Sequence, residues 1–117
     1  MSPTARTLAH LRNDGWRCQV VERFCHFSKR RIDLFGVIDV LAIKPGEGTL
    51  GVQATSGANT AARVSKAIES DGLRAWLEAG NAFQVFGWRK LTRGKKRPTW
   101  EPQIVRLAVV GGEIRQL

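Results

Sequence analysis

Two short apolar runs rich in β-branched residues, Val37–Ile43 and Thr49–Ala54, are separated by Lys44-Pro45-Gly46-Glu47-Gly48. Proline and glycine between two such runs read as the turn of a β-hairpin. Polar residues sit where a buried hairpin does not want them: Asp39 in the first run, then Gln53 and Thr55 along the second. Side chains alternate faces along a strand, so Gln53 and Thr55 share one face while Val52 and Ala54 take the other. A carboxylate inside an apolar strand is costly unless it is paired or coordinated. Asp39 therefore reads as a metal ligand, with an ion pair to Arg31 or Lys44 as the structural alternative. An acid facing a polar pair at i, i+2 on the next strand is the layout of a divalent-metal phosphodiesterase site.

The segments around the hairpin set the architecture. Thr4 to Asn13 places Ala5, Leu8 and Leu11 at helical spacing, with Ser2 or Thr4 as N-cap and Asp14-Gly15 as the stop. Trp16 to Phe24 alternates as a strand, and Cys25 to Arg31 is basic and aperiodic, hence a loop. After the hairpin, Ala58 to Ala79 is helical, with a break expected at Ser70-Asp71-Gly72. Ala82 to Leu91 and Trp100 to Val110 are two further strands around a tip at Thr92–Thr99, the second finishing near Gly111-Gly112. The order is helix, three strands, helix, two strands. At 117 residues the chain reads as a single domain, 1–117, with one core.

Charge narrows the partner. Nineteen Lys and Arg against ten Asp and Glu give +9, which favours a polyanion, above all nucleic acid. The charge is clustered: Arg89, Lys90, Arg93, Lys95, Lys96 and Arg97 fall in a stretch with no acid between Glu78 and Glu101, and Arg23, Lys29, Arg30 and Arg31 form a second group. No segment approaches the ~18 apolar residues of a membrane span, so no membrane partner is expected. The start of the chain has no apolar leader. Cys18 and Cys25 lack metal-site spacing and read as buried or free thiols of a reducing, cytoplasmic protein, with a single disulfide as the alternative.

Arg31-Ile32-Asp33-Leu34-Phe35-Gly36-Val37-Ile38-Asp39 and Val52-Gln53-Ala54-Thr55 resemble the core of the PD-(D/E)XK nuclease superfamily, which pairs an Asp on one strand with Glu-x-Lys on its partner. Asp39 takes the Asp position, Gln53 the Glu position and Thr55 the Lys position. Gln53 looks like the Gln-x-Lys variant of Mrr-type members, and Thr55 departs from the pattern. The segment through Ser56-Gly57-Ala58-Asn59 is also similar to a group of small phage and prophage proteins. The resemblance covers roughly residues 15–90. It implies an α/β fold: a three-layer αβββαβ restriction-endonuclease-like core with a mixed central sheet, here with an extra C-terminal strand. It implies Mg2+ or Mn2+ at Asp39 and Gln53, completed by Asp33 or Glu22, and Lys66 or Arg63 on the following helix in place of the missing lysine. Dimers are frequent in the superfamily, and the last strand offers an edge for one. Ser56 and Asn59 at the helix start are candidates for a phosphate, and Arg30, Arg31 and the Arg89–Arg97 tip for the backbone of DNA. Trp88 and Trp100 beside that tip read as packing residues rather than base-stacking ones.

Two functions from different classes follow. The first is a metal-dependent DNA endonuclease acting on phage or host DNA, with branched DNA among its candidate substrates. The second is a catalytically inactive module of nuclease ancestry that grips nucleic acid without cutting it. Thr55 speaks for the second; polar residues kept at Asp39, Gln53 and Thr55 speak for the first. An adaptor that binds a host protein leaves the basic tip unexplained.

Overall fold

The computed structural model describes residues 1–117. In chain order it contains α1 (Pro3–Asn13), β1 (Arg17–Val20), β2 (Arg23–Cys25), β3 (Arg30–Ile32), β4 (Val40–Lys44), β5 (Gly48–Ser56), a 3-10 turn (Gly57–Asn59), α2 (Thr60–Ile68), α3 (Asp71–Glu78), β6 (Ala82–Leu91), β7 (Thr99–Val110) and β8 (Glu113–Gln116). The central hairpin forms, with Val40 opposite Val52 and Lys44 opposite Gly48, but its first strand begins at Val40 rather than Val37, because Val37–Asp39 belong to the turn and bend before it. Its turn needs glycine at Gly46 and Gly48, whose φ angles are 79° and 75°.

Six strands make a mixed sheet in the order β1-β4-β5-β6-β7-β8. Only β5 and β6 run parallel, because the α2–α3 crossover returns the chain to the start of the sheet. The helices cover both faces. Leu11 of α1 packs with Val40, Ala42, Leu50, Val52, Phe86 and Trp88 on one side. Val64 and Ala67 of α2 and Leu73 and Trp76 of α3 meet Phe83, Val85, Val105 and Leu107 on the other. Strand β6 shows why: Phe83 and Val85 fall on one face, Phe86 and Trp88 on the opposite one, as a period of two requires.

Buried polar contacts tie α1 and α2 to the sheet. Trp88 Nε1 donates to Thr7 Oγ1 at 2.9 Å, and Thr7 donates to Pro3 O at 2.8 Å, so Trp88 is a packing residue. Thr60 sits over Gly87, where an added Cβ would lie 1.8 Å from its Oγ1. The Ser70 side chain caps α3 through Leu73 N–H at 3.1 Å, at the expected break.

Three further expectations need correction. The run Trp16–Phe24 is two strands, because Val21 and Glu22 donate to the Asp39 carbonyl at 2.8 and 3.3 Å and the chain bends there. The segment Cys25–Arg31 is the tip and return strand of a small hairpin, β2–β3, outside the main sheet. A sixth sheet strand, β8, follows a turn at Gly111-Gly112 with φ of 61° and 82°. It pairs only with Leu107–Val110 of β7, so the free edge on that side is shared between β8 and the first half of β7. No helix is long and apolar enough to cross a membrane.

Candidate metal centre

Asp39 stands where β4 parts from β5. Its N–H still donates to Val52 O at 2.9 Å, but the chain before it belongs to the turn Leu34–Val37. The β5 donor left over, Ala54 N–H, is taken by the Asp39 side chain, with Oδ2 at 2.9 Å. Neither expected ion pair exists. Lys44 pairs with Asp14 at 3.7 Å and Arg31 with Glu22 at 2.9 Å. Asp39 is 5% exposed and has no cation against it.

Two more acids converge on it. The backbone turns at Phe35-Gly36, both with positive φ (53° and 78°), and Leu34 and Ile38 bond each other across that turn. This brings Asp33, six residues earlier, beside Asp39. Glu22 arrives from the β2–β3 hairpin: Arg23 is opposite Ile32, so Glu22 and Asp33 flank the hairpin base one step further on. Carboxylate oxygens of Glu22, Asp33 and Asp39 all lie within 4.8 Å of one another. Burial, the hydrogen bond with Asp33 and the negative charges of Asp33 and Glu22 push Asp39 up to about 8, and only the Ala54 N–H pulls the other way.

The trio lines a cavity of about 510 Å3 together with Ala54, Arg31, Arg63, the α1 N-cap Ser2 and the first α1 residues Pro3 and Thr4. Of the remaining expected residues, Gln53 is buried and reaches the trio only through Asp33, donating Nε2 to Oδ2 at 3.4 Å. Thr55 is also buried and does not line the cavity. On α2, Arg63 lines it, while Lys66 is exposed and outside it. Ser56 precedes the 3-10 turn and Asn59 ends it, and Gly57 lets the backbone close on Arg89; an added Cβ would lie 3.0 Å from Arg89 Cβ.

The basic tip leaves the same end of the sheet, since Ala54 and Ser56 of β5 are level with Phe86 and Trp88 of β6. Arg89 and Lys90 are exposed at the end of β6, and Arg93, Lys95, Lys96 and Arg97 in the loop after it. Arg93 is held by Glu101 at 2.8 Å. Arg6 of α1 lies 4.0 Å over the exposed Trp100 ring. Cys18 and Cys25 are free thiols.

Sequence reasoning missed the ion pair that fixes Glu22 and the place of the α1 N-terminus at the site. The first had a signal, since Glu22 and Asp33 bracket Arg23–Ile32 as the two ends of a hairpin. The second had none, because no residue of that terminus is acidic.

An all-oxygen donor set of three carboxylates suits a hard divalent cation such as Mg2+ or Mn2+. The fit is also electrostatic: a buried acid repelled by two others, with no cation paired to it, is relieved by a bound metal. No protein-family model, curated protein or solved structure matches the chain.

Proposed function

We propose that the chain is a metal-dependent DNA endonuclease, with Glu22, Asp33 and Asp39 as the residues that would hold Mg2+ or Mn2+. One observation carries this reading: three carboxylates from separate segments meet within 4.8 Å around a buried Asp that no lysine or arginine neutralises. The strand and helix order α1-β1-β4-β5-α2/α3-β6 supports it, since it follows the αβββαβ plan implied by the resemblance. A net charge of +9 supports DNA as the partner.

Bound there, a divalent cation supplies Lewis acidity toward a phosphoryl oxygen and lowers the pKa of a water. The chain's own residues do the rest. Ala54 N–H and Gln53 Nε2 orient Asp39 and Asp33, and Arg31 orients Glu22. Arg63 is the cation free to face the phosphate, and so takes the charge-stabilising role left open by Thr55. Arg89, Lys90 and the exposed cations of the following loop grip the flanking backbone, with Ser56 and Asn59 beside them.

The second reading, a binding module that does not cut, is favoured by one observation. No lysine lines the cavity: Thr55 stands inside the fold and Lys66 on the surface. Cleavage of labelled linear, nicked and four-way-junction DNA separates the two. Wild type is expected to cut with Mg2+ or Mn2+ and not with EDTA, and Asp39→Ala is expected to be inactive. DNA bound equally by both and cut by neither decides for the module.

A further inference from the structure

The β2–β3 hairpin is the least explained part of the molecule. An isolated two-stranded hairpin is marginally stable in water, and this one is secured only at its base, by the Glu22–Arg31 ion pair and by partly buried Val21 and Leu34. Its tip carries apolar surface that no core needs. Phe27 is 101% exposed and Phe24 50%. His26 stands edge-on to Phe24 at 5.1 Å. Between Glu22 and Asp33 there are four cations and no acid. Of these only Arg31 is ion-paired.

Aromatic rings interleaved with unpaired cations fit bases and phosphates together, whereas a purely apolar partner would leave Arg23, Lys29 and Arg30 without counter-charges. Position strengthens the match. The two residues at the hairpin base are ligands of the candidate metal centre, so anything held there has the hairpin standing beside it. At ~3.3 Å per strand residue, Phe27 lies at most about 17 Å from Glu22, roughly five base steps of a DNA strand.

We propose that this hairpin is a base-stacking wedge: Phe27, backed by Phe24 and His26, stacks on unpaired bases while Arg23, Lys29 and Arg30 hold the adjoining phosphates. The substrate class is then DNA with a single-strand/double-strand junction within about five nucleotides of the scissile phosphate. The inference rests on the nuclease reading for its substrate, but its test does not need cleavage.

The test is anisotropy titration in EDTA of a labelled forked duplex and of a fully paired duplex of equal length. Wild type is expected to prefer the fork. Phe27→Ala, at a position with no packing role, is expected to weaken fork binding about tenfold and leave duplex binding within about twofold; Phe27→Trp is expected to keep the preference. The native thiol of Cys25, opposite Arg30 in the hairpin, gives a second readout, since the fork and not the duplex is expected to protect it from alkylation. Equal losses on both DNAs, or none on either, overturn the wedge. So does a Phe27→Ala variant that loses binding to anionic vesicles while keeping its fork preference. A chain that prefers forks but never cuts with Mg2+ refutes the nuclease reading and leaves the wedge standing.

Discussion

Asp39 concentrates the chemistry into one side chain. It completes the β5 ladder through Ala54 N–H, yet its raised pKa of about 8 means that the fold disfavours its charge. The consequence for stability has a definite sign. The unfolded chain gives up this proton near pH 4, whereas the folded one keeps it until about pH 8. Stability is therefore unaffected by Asp39 below pH 4, falls as pH rises from about 4 to 8, and levels off above that. Asp39→Asn mimics the protonated acid: its amide oxygen still accepts from Ala54, and its NH2 donates to Asp33. In EDTA at pH 8 the variant is expected to be more stable than wild type by about 1–3 kcal/mol, with the gap closing toward pH 4. Thermal melts across that range check it; parallel curves would contradict the assignment. From sequence, Asp39 reads as a metal ligand or as the partner of Arg31 or Lys44; the Ala54 N–H that it accepts from cannot be read from residue identity.

At the scale of elements, the site depends on the turn 33–39, which α3 holds in place. Gly72 of α3 is pressed on that turn, and an added Cβ would lie 2.1 Å from Phe35 O. Gly72→Ala is expected to cost about 1–3 kcal/mol by overpacking and to weaken divalent-metal binding as Asp33 and Asp39 shift. Denaturant melts and a metal titration check both; a variant as stable as wild type contradicts the contact. The loop at 92–98 is the electrostatic element. Replacing Lys95, Lys96 and Arg97 together by Ala is expected to reduce the slope of log K against log salt for DNA binding by about 2–3, with the melting temperature unchanged. An unaltered slope would remove this loop from the interface. These elements differed in how legible they were. Strand β6 was readable from end to end, because alternating Phe83, Val85 and Phe86, Trp88 are bounded by Gly80-Asn81 and by the basic run. β2 and β3 were not, because a three-residue strand with exposed side chains has no burial period to read. β8 is similarly short, and only the glycine pair before it marks a hairpin.

Across the whole molecule, two chemically opposite features lie at one end of the sheet. An acidic cluster occupies the cavity beside the α1 N-terminus, and the basic loop and the β2–β3 hairpin project from the same region. A chain with net charge +9 packs three of its ten acids within 4.8 Å, and a divalent cation held there, as proposed, would relieve the repulsion on Asp39. The sequence pattern showed the mixed α/β order and offered Asp33 or Glu22 as a partner for Asp39; that both acids join it depends on the bends at Val21-Glu22 and at Phe35-Gly36, of which residue identity marks only the second. On the proposed function these carboxylates hold a divalent cation, and calorimetric titration with Mn2+ at pH 7 is the decisive measurement. Wild type is expected to show saturable binding at one class of site, with at least about tenfold weaker binding in Asp39→Asn. No saturable binding, or equal binding by wild type and variant, would contradict it.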